Sequence, residues 1–179
     1  MKFGEMSIHQ LIDPKGFACE CGRTHRIDLR FLRVGGGVIQ TTPEAIETLG
    51  CSYPFIVCDE HTFEAAGKQV VEILKKANIK HKLYILPTRK ERTRPEEIEL
   101  GSVAMHFDPA CDLLLGVGSG VINDICKIFG YVAKKPSMIV GTAPSMDGYA
   151  SNSSSMEVNN VKTTIYTQLP SAIILDTDI

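Results

Sequence analysis

The chain has 179 residues, a formal net charge of −2 and 44% hydrophobic residues. This length fits one hydrophobic core of about 100–200 residues, and the composition is that of a folded globular domain. The near-neutral charge argues against a nucleic-acid partner or an anionic membrane surface. The longest uncharged runs, 113–123 and 136–146, are shorter than the ~20 residues of a membrane-spanning helix.

The cellular compartment of the protein is predicted from its amino terminus and its cysteines. Residues 1–17 carry two acidic side chains and no apolar stretch of the kind that a secretion signal needs. Cys58, Cys111 and Cys126 lie inside apolar runs, where free cysteine behaves as a small hydrophobic residue. Both observations favour the cytoplasm.

Residues 1–30 show little periodicity and are interpreted as an N-terminal extension with one short hairpin. Cys19, Cys21 and His25 have a metal-site look, but they leave a four-ligand zinc site one ligand short. A reduced hairpin with incidental thiols is the favoured interpretation. Residues 33–39, with three consecutive glycines, predict a strand, a turn and a second strand.

From residue 42 onward, helices and strands are predicted to alternate. Thr42 and Pro43 are typical of a helix start, and that helix ends at Gly50. The further predicted strands are 55–58, 83–86, 113–115 and 138–140, and the helices between them are 64–78, 93–106 and 121–133. This pattern predicts an α/β fold with a Rossmann-like, mostly parallel sheet and helices on both faces. Later in the chain, 151–155 is interpreted as a polar loop, and 162–167 and 172–175 as strands.

The strongest local signal is a glycine-rich turn between a predicted strand and a predicted helix, at residues 116–120. Glycine lets a phosphate approach the backbone, and the helix that follows offers free amides and a positive dipole end. The spacing is G-x-G-x-G, however, and no acidic residue follows about 20 positions later to hold a ribose. On spacing alone, a structural turn and a phosphate site fit equally well.

The second signal, residues 141–151, follows the next predicted strand and belongs at the same sheet edge. Its hydroxyls at Thr142, Ser145 and Ser151 are suited to a ribose or a phosphate. Its acid, Asp147, is suited to substrate hydroxyls. Taken alone, the Asp147-Gly148 pair is more often a simple tight turn.

These motifs resemble the iron-containing alcohol dehydrogenase and dehydroquinate synthase-like superfamily. The resemblance is carried by residues 116–124 (GVGSGVIND), 141–151 (GTAPSMDGYAS) and 169–176 (LPSAIILD). Within it, the Ser-Met-Asp-Gly sequence and residues 19–25 (CECGRTH) look most like the glycerol-1-phosphate dehydrogenase group, including its AraM-type members.

The resemblance implies hydride transfer between NAD or NADP and a small phosphorylated polyol, with dihydroxyacetone phosphate and glycerol 1-phosphate interconverted. In this superfamily the acid that holds the adenosine ribose precedes the glycine turn, and here it is Asp59. Asp147 is implied to face the substrate. The other implied dinucleotide contacts are Gly118, Gly120, Val121, Ile122, Asn123, Asp124, Thr142, Ala143, Pro144, Ser145 and Ser151.

The resemblance also implies a divalent metal (Zn, Ni or Fe), held by one Asp and two His of a helical C-terminal domain. None of the local histidines matches those positions: His9, His25, His61, His81 and His106. We therefore expect no catalytic residue or metal ligand in this chain, and we expect the ligands beyond Ile179. Residues 31–179 are then the NAD(P)-binding domain of a longer protein, inactive alone, and an apolar face left for the missing domain favours a homo-oligomer.

Two other functions remain open at this point. One is a non-catalytic nucleotide-binding or assembly module on the same sheet. The other is a dehydroquinate synthase-like lyase, against which the Ser-Met-Asp-Gly sequence argues by resemblance. The basic run 89–94 is interpreted mainly as a solvated loop, with a contact to the 2′-phosphate of NADP or to a substrate phosphate as the alternative. Lys162 is interpreted mainly as a strand-edge lysine that discourages edge pairing, with a place on the substrate side as the alternative.

Overall fold

The computed structural model describes residues 3–89, 92–144, 146 and 148–179. Its strands are β1 (Phe17–Ala18), β2 (Thr24–His25), β3 (Phe31–Gly35), β4 (Pro54–Asp59), β5 (Lys82–Leu86), β6 (Leu113–Gly118), β7 (Ser137–Gly141), β8 (Ser153–Val158), β9 (Val161–Tyr166) and β10 (Ala172–Asp176). Its helices are α1 (Ile8–Leu11), α2 (Thr42–Thr48), α3 (Glu60–Thr62), α4 (Lys68–Lys76), α5 (Glu97–His106) and α6 (Gly120–Ala133). A π-helical turn, Phe63–Gly67, joins α3 to α4.

Six of these strands form one parallel sheet in the order β3-β10-β7-β6-β4-β5. The chain passes outward from β4 to β5 and then returns to β6, on the other side of β4. This reversal makes the carboxyl ends of β4 and β6 the topological switch point, where open α/β sheets bind their ligands. The predicted Rossmann-like sheet is confirmed.

The sheet has an apolar core on each face because its strands are buried on both sides. In β4, Ile56 and Cys58 belong to one core cluster, whereas Phe55 and Val57 belong to the other. Helices α2 and α4 cover the first cluster, and α5 and α6 cover the second. All four β4 side chains are fully buried, and each such burial is worth about 1.5–3 kcal/mol for a large apolar side chain. Among the described helices, none has the length and apolar character needed to cross a bilayer.

The prediction of a second strand within residues 33–39 is wrong. After β3 the chain makes a tight turn and then a 3-10 turn, Val38–Thr41, that leads into α2. The carboxylate of Asp176 holds the turn, accepting hydrogen bonds from the amides of Gly37 (3.0 Å) and Ile39 (2.8 Å). Burial raises the pKa of Asp176, but the amides of Ile39, Asp178 and Gly37 outweigh that effect and hold it below its ordinary value.

The prediction of a polar loop at 151–155 is also wrong in part, because β8 begins at Ser153 and pairs antiparallel with β9. Ser154 and Met156 are buried, and their neighbours in the strand are less so, as in a half-buried strand. Asn159 and Asn160 both have positive φ at the tip, the backbone conformation of a tight hairpin turn. The predicted short hairpin of the N-terminal extension is confirmed as β1 and β2.

Replacing Gly118 with alanine is expected to destabilise the protein by about 1–3 kcal/mol, because the helix must move away from the strand. An added Cβ would lie 2.6 Å from Ile122 Cγ1 and 2.8 Å from Ile122 Cβ. The free energy of unfolding in urea measures the effect. The matched control is Gly101→Ala in α5, where a Cβ meets nothing within 4 Å and a gain of about 0.5–1 kcal/mol is expected. Equal stability of the two variants would contradict this account.

Candidate functional site

The candidate site is a row of residues at the carboxyl edge of the sheet. Val57 of β4 pairs with Gly116 of β6, so Asp59 lies at the level of Gly118, two residues further along each strand. Gly118 in turn pairs with Gly141 of β7. Adjacent strands lie about 4.8 Å apart, so the acid and the two strand-end glycines form a short, continuous line across the switch point.

The three glycines of the turn have different roles. A Cβ at Gly116 would lie 2.9 Å from Ile139 Cδ1 and 3.1 Å from Cys126 Sγ, and Gly118 is closed in by α6 in the same way. At Gly120 the nearest atom is Met146 Cγ at 3.5 Å, an ordinary van der Waals distance. Close packing therefore explains why residues 116 and 118 are glycine. It does not explain why residue 120 is glycine, because a side chain there would fit among the described residues.

The first turn of α6 presents its backbone amides at this edge. The first amide to bond back along the chain is that of Asn123, which donates to the carbonyl of Ser119 at 2.9 Å. The side chain of Ser119 makes no capping hydrogen bond. The amides of Gly120, Val121 and Ile122 precede that first bond, and together with the helix dipole they suit an anion.

Asp59, at the end of β4, caps the next helix. Its Oδ1 accepts hydrogen bonds from the amide of Thr62 at 2.8 Å and from the hydroxyl of Thr62 at 2.9 Å. The amide of Asp59 donates to the same hydroxyl at 2.9 Å, which completes a capping box. Since both bonds to the carboxylate use Oδ1, the cap itself does not require Oδ2.

The loop after β7 is held against the glycine turn by its backbone. The amide of Thr142 donates to the carbonyl of Gly118 at 3.1 Å, and the hydroxyl of Tyr149 donates to the carbonyl of Ala143 at 3.0 Å. Burial raises the pKa of Tyr149, which keeps it a neutral hydrogen-bond donor. A cavity of about 390 Å³, with Pro144 and Leu175 among its lining residues, opens beside this loop. Ser145 and Asp147 lie outside the described residues.

A buried lysine ties α6 to the β8–β9 hairpin. Lys127 is 1% exposed, and its ammonium donates to the carbonyls of Ser151 (3.2 Å) and Ser153 (2.5 Å). The same group lies 3.0 Å from Asp124 Oδ1, and Asp124 Oδ2 accepts from the amide of Ser155 at 3.0 Å. Both carboxylate oxygens of Asp124 are thus engaged within the protein, and its visible role is to position the hairpin.

The other residues predicted to contact the dinucleotide differ in burial and in their position at the carboxyl edge. The side chains of Ile122 and Asn123 are buried, so that only their backbone is placed to meet a ligand. Ser151 shares a 2.7 Å hydrogen bond with the hydroxyl of Ser153 at the start of the hairpin. Val121 lines a second cavity of about 370 Å³.

This second cavity is basic. Its lining includes three basic residues, Arg92, Arg94 and Lys162, and one acid, Glu157, which lies 3.9 Å from Arg94. The buried hydroxyl of Thr93, also in the lining, has no hydrogen-bond partner among the described residues. The structure therefore places positive charge beside the first turn of α6, as the alternative interpretation of the basic run requires. Lys90 and Glu91 of that run lie outside the described residues.

Sequence reasoning did not single out Lys127 or Tyr149. A lysine between Cys126 and Ile128 interrupts an apolar run, and that interruption is the signal of a buried, partnered charge. Tyr149 carries no such signal, because its partner is a backbone carbonyl on a loop.

Among the described residues, one cluster of three His, Cys, Asp or Glu side chains has the spacing of a metal site: Cys19, Cys21 and His25, on the β1–β2 hairpin. The described part of the carboxyl edge offers no comparable set. The described residues of this edge therefore do not form a site for a catalytic metal.

The family model for iron-containing alcohol dehydrogenase matches residues 33–179. The chain belongs to the iron-containing alcohol dehydrogenase family. The match begins within β3 and includes the whole carboxyl edge described above.

Curated relatives in this family carry a more specific name. A glycerol-1-phosphate dehydrogenase [NAD(P)+] of Halalkalibacterium halodurans is 34% identical over 162 residues, which cover 89% of this chain and 41% of that protein. The enzyme of the same name from Bacillus velezensis is 33% identical over 129 residues, 72% of this chain and 33% of that protein. The chain thus spans about two fifths or less of the length of these relatives.

Solved structures of the family share the fold. Glycerol dehydrogenase of Schizosaccharomyces pombe has a TM-score of 0.71 and 18% identity, covering 84% of this chain and 38% of that one. Alcohol dehydrogenase of Oenococcus oeni has a TM-score of 0.72 and 18% identity, covering 83% of this chain and 44% of that one. At these identities, the likeness concerns the fold alone.

Replacing Lys127 with methionine is expected to cost about 3–5 kcal/mol, because two carbonyls and a carboxylate lose a buried partner together. Thermal and urea unfolding measure the loss. The control Lys68→Met removes an exposed ion pair between Lys68, at the start of α4, and Glu64 of the π-helical turn, and is expected to change stability by less than about 0.5 kcal/mol. A Lys127 variant as stable as this control would show that the hairpin is held by other contacts.

Proposed function

We propose that this chain is the dinucleotide-binding part of an NAD(P)-dependent dehydrogenase that interconverts dihydroxyacetone phosphate and glycerol 1-phosphate. The observation that carries the proposal is Gly120, which begins α6 at the switch point. Among the described residues, no atom lies close enough to Gly120 to exclude a side chain there. The names of the curated relatives support the choice of substrate and cofactor.

The order of the strands supports one orientation of the bound dinucleotide along the carboxyl edge of the sheet. Asp59, at the end of β4, binds the adenosine ribose through the carboxylate oxygen that the helix cap does not use. The amides at Gly120 and Val121 bind the pyrophosphate. The nicotinamide end then extends toward β7, where Thr142 and the 390 Å³ cavity lie. When bound, the dinucleotide supplies the hydride.

The other implied contacts have narrower roles in this arrangement. Ala143 and Pro144 shape the loop that follows β7, and Ser151 places the start of the hairpin. Ser145 is proposed as a dinucleotide contact from its place in the motif alone. Asp124 positions that hairpin through Lys127. Asp147 orients the substrate hydroxyls.

We propose the following division into domains. Residues 1–30 form an extension, residues 31–179 form the NAD(P)-binding domain, and the divalent metal is bound by the rest of the protein. The substrate is a small phosphorylated polyol, and the positive charge of Arg92, Arg94 and Lys162 attracts phosphorylated ligands to this side. We propose that the protein acts in the cytoplasm and forms a homo-oligomer.

Binding of NADH to the 179-residue chain tests the cofactor part of the proposal. Gly120→Ala is expected to weaken binding at least about tenfold while leaving stability within about 1 kcal/mol, because the new methyl group fills the space of the pyrophosphate and clashes with none of the described residues. Fluorescence titration with NADH measures the dissociation constant. Gly101→Ala is the matched control and should bind as the parent chain does.

A second variant in the same assay separates the two roles of Asp59. Asparagine preserves an N-cap, so Asp59→Asn should stay folded. It removes the negative charge that repels a 2′-phosphate, so the preference for NADH over NADPH should fall. An unchanged preference would limit Asp59 to its role as a helix cap, and unchanged NADH binding by Gly120→Ala would overturn the proposed pyrophosphate site.

The reaction itself is tested with the full-length protein. When the full-length protein is mixed with dihydroxyacetone phosphate, NADH and a divalent metal, it should oxidise NADH, and the NADH absorbance should fall. Residues 1–179 alone should cause no such fall. Asp147→Asn is expected to lower kcat/KM by at least about tenfold with NADH binding unchanged. Dinucleotide binding without turnover would favour the non-catalytic module, and a substrate that cyclises without net change in NADH would favour the lyase.

A further inference from the structure

The β1–β2 hairpin is short and closes through a tight turn. Two residue pairs form its ladder, Phe17 with His25 and Ala18 with Thr24. In the turn, the amide of Cys19 donates to the carbonyl of Arg23 at 2.9 Å, and the amide of Gly22 donates back to the carbonyl of Cys19 at 3.0 Å. Gly22 has a φ of +79°, which lets the chain reverse within a few residues of both cysteines.

The reversal brings three ligand atoms together. The Sγ atoms of Cys19 and Cys21 and a ring nitrogen of His25 all lie within 4.8 Å of one another. Cys21 Sγ is 3.2 Å from His25 Nε2, and the amide of Cys21 points at Cys19 Sγ from 3.5 Å. With zinc–sulfur bonds of about 2.3 Å and zinc–nitrogen bonds of about 2.0 Å, tetrahedral ligand atoms lie roughly 3.5–3.8 Å apart. The three atoms need only small rotations to reach that geometry.

The hairpin has no apolar core of its own to hold it. Residues 13–26 are all described, and neither core cluster includes any of them. Cys21 is exposed, and Cys19 is only half-buried. A hairpin of two short strands is marginal in water, and small units of this kind are commonly stabilised by a metal or a disulfide.

We propose that Cys19, Cys21 and His25 bind a zinc ion through their two Sγ atoms and Nε2, with water in the fourth position. Binding releases the protons of the two thiols, and the ion links the turn of the hairpin to β2. The segment after the hairpin joins the amino end of β3, where the amide of Arg30 donates to the carbonyl of Ser171 at 2.8 Å. The ion therefore fixes the fold of the hairpin, which precedes this point of attachment to the sheet by a few residues.

The 179-residue chain, purified without a metal-affinity tag and equilibrated with zinc, is expected to retain about one zinc ion after removal of free metal. Elemental mass spectrometry measures the content. Cys19→Ser and Cys21→Ser should each lose most of it, and cobalt in place of zinc should give thiolate charge-transfer absorption in the parent chain but not in these two variants. Cys51→Ser, which changes another partly exposed thiol, is the matched control and should retain the ion.

Two further measurements separate a bound ion from a folding defect. Zinc should protect Cys19 and Cys21 from alkylation but not Cys51, whereas burial raises the pKa of Cys58 to about 12 and leaves it unreactive throughout. Removing zinc from the parent chain with a chelator should speed amide exchange in residues 17–25 about tenfold and leave β4 and β6 unchanged.

Zinc content well below one ion per chain in the parent protein would overturn the proposal. So would equal zinc content in the Cys19, Cys21 and Cys51 variants, or a stable Cys19–Cys21 disulfide under reducing purification. NADH binding should be unaffected by zinc removal, so this outcome is independent of the dinucleotide test.

Discussion

The close contact between α6 and β6 is the constraint on which the rest of this structure depends. Gly116 and Gly118 have no side chain, and Ile122 occupies the space that a Cβ would take. Because the helix lies against the strand at this distance, its first turn projects over the carboxyl edge at the switch point. A helix held further out would carry its free amides away from Asp59 and from the loop after β7.

Several residues at this edge serve the fold and are also suited to a ligand. Asp59 uses one carboxylate oxygen to cap α3. The backbone amide of Thr142 donates to the carbonyl of Gly118 in the glycine turn, and this bond does not involve the Thr142 side chain. Asp124 and Lys127 are fully engaged with the hairpin. The edge is therefore organised before any ligand arrives, and the cost of ordering it has been met during folding.

The sheet and its helices could be predicted because their signals are local. Runs such as 113–115 are fully apolar, as strands buried on both faces must be, and the helices show their period and their caps. The glycine turn was correctly located for the same reason. Its three glycines could not be distinguished, since the atoms that exclude a side chain at Gly118 and admit one at Gly120 come from the folded structure.

The errors have physical causes too. The turn after Gly35 looked like a strand because its partner, the carboxylate of Asp176, lies about 140 positions later in the chain. Strand β8 looked like a loop because Ser154 is a small polar residue at a buried position, where an apolar residue would have shown the alternation. In both cases distant contacts outweighed local preference.

The place of β3 at the sheet edge, beside β10 alone, has a consequence for how the chain is made. The first strand of the sheet to leave the ribosome has no partner until residues 172–176 have followed it, about 140 positions later. Pairing over so long a separation is slow, because a large loop must close before any contact rewards it. During synthesis, β7 therefore presents an open edge to other nascent chains, and folding of this unit is completed only when β10 closes that edge and gives β3 its place.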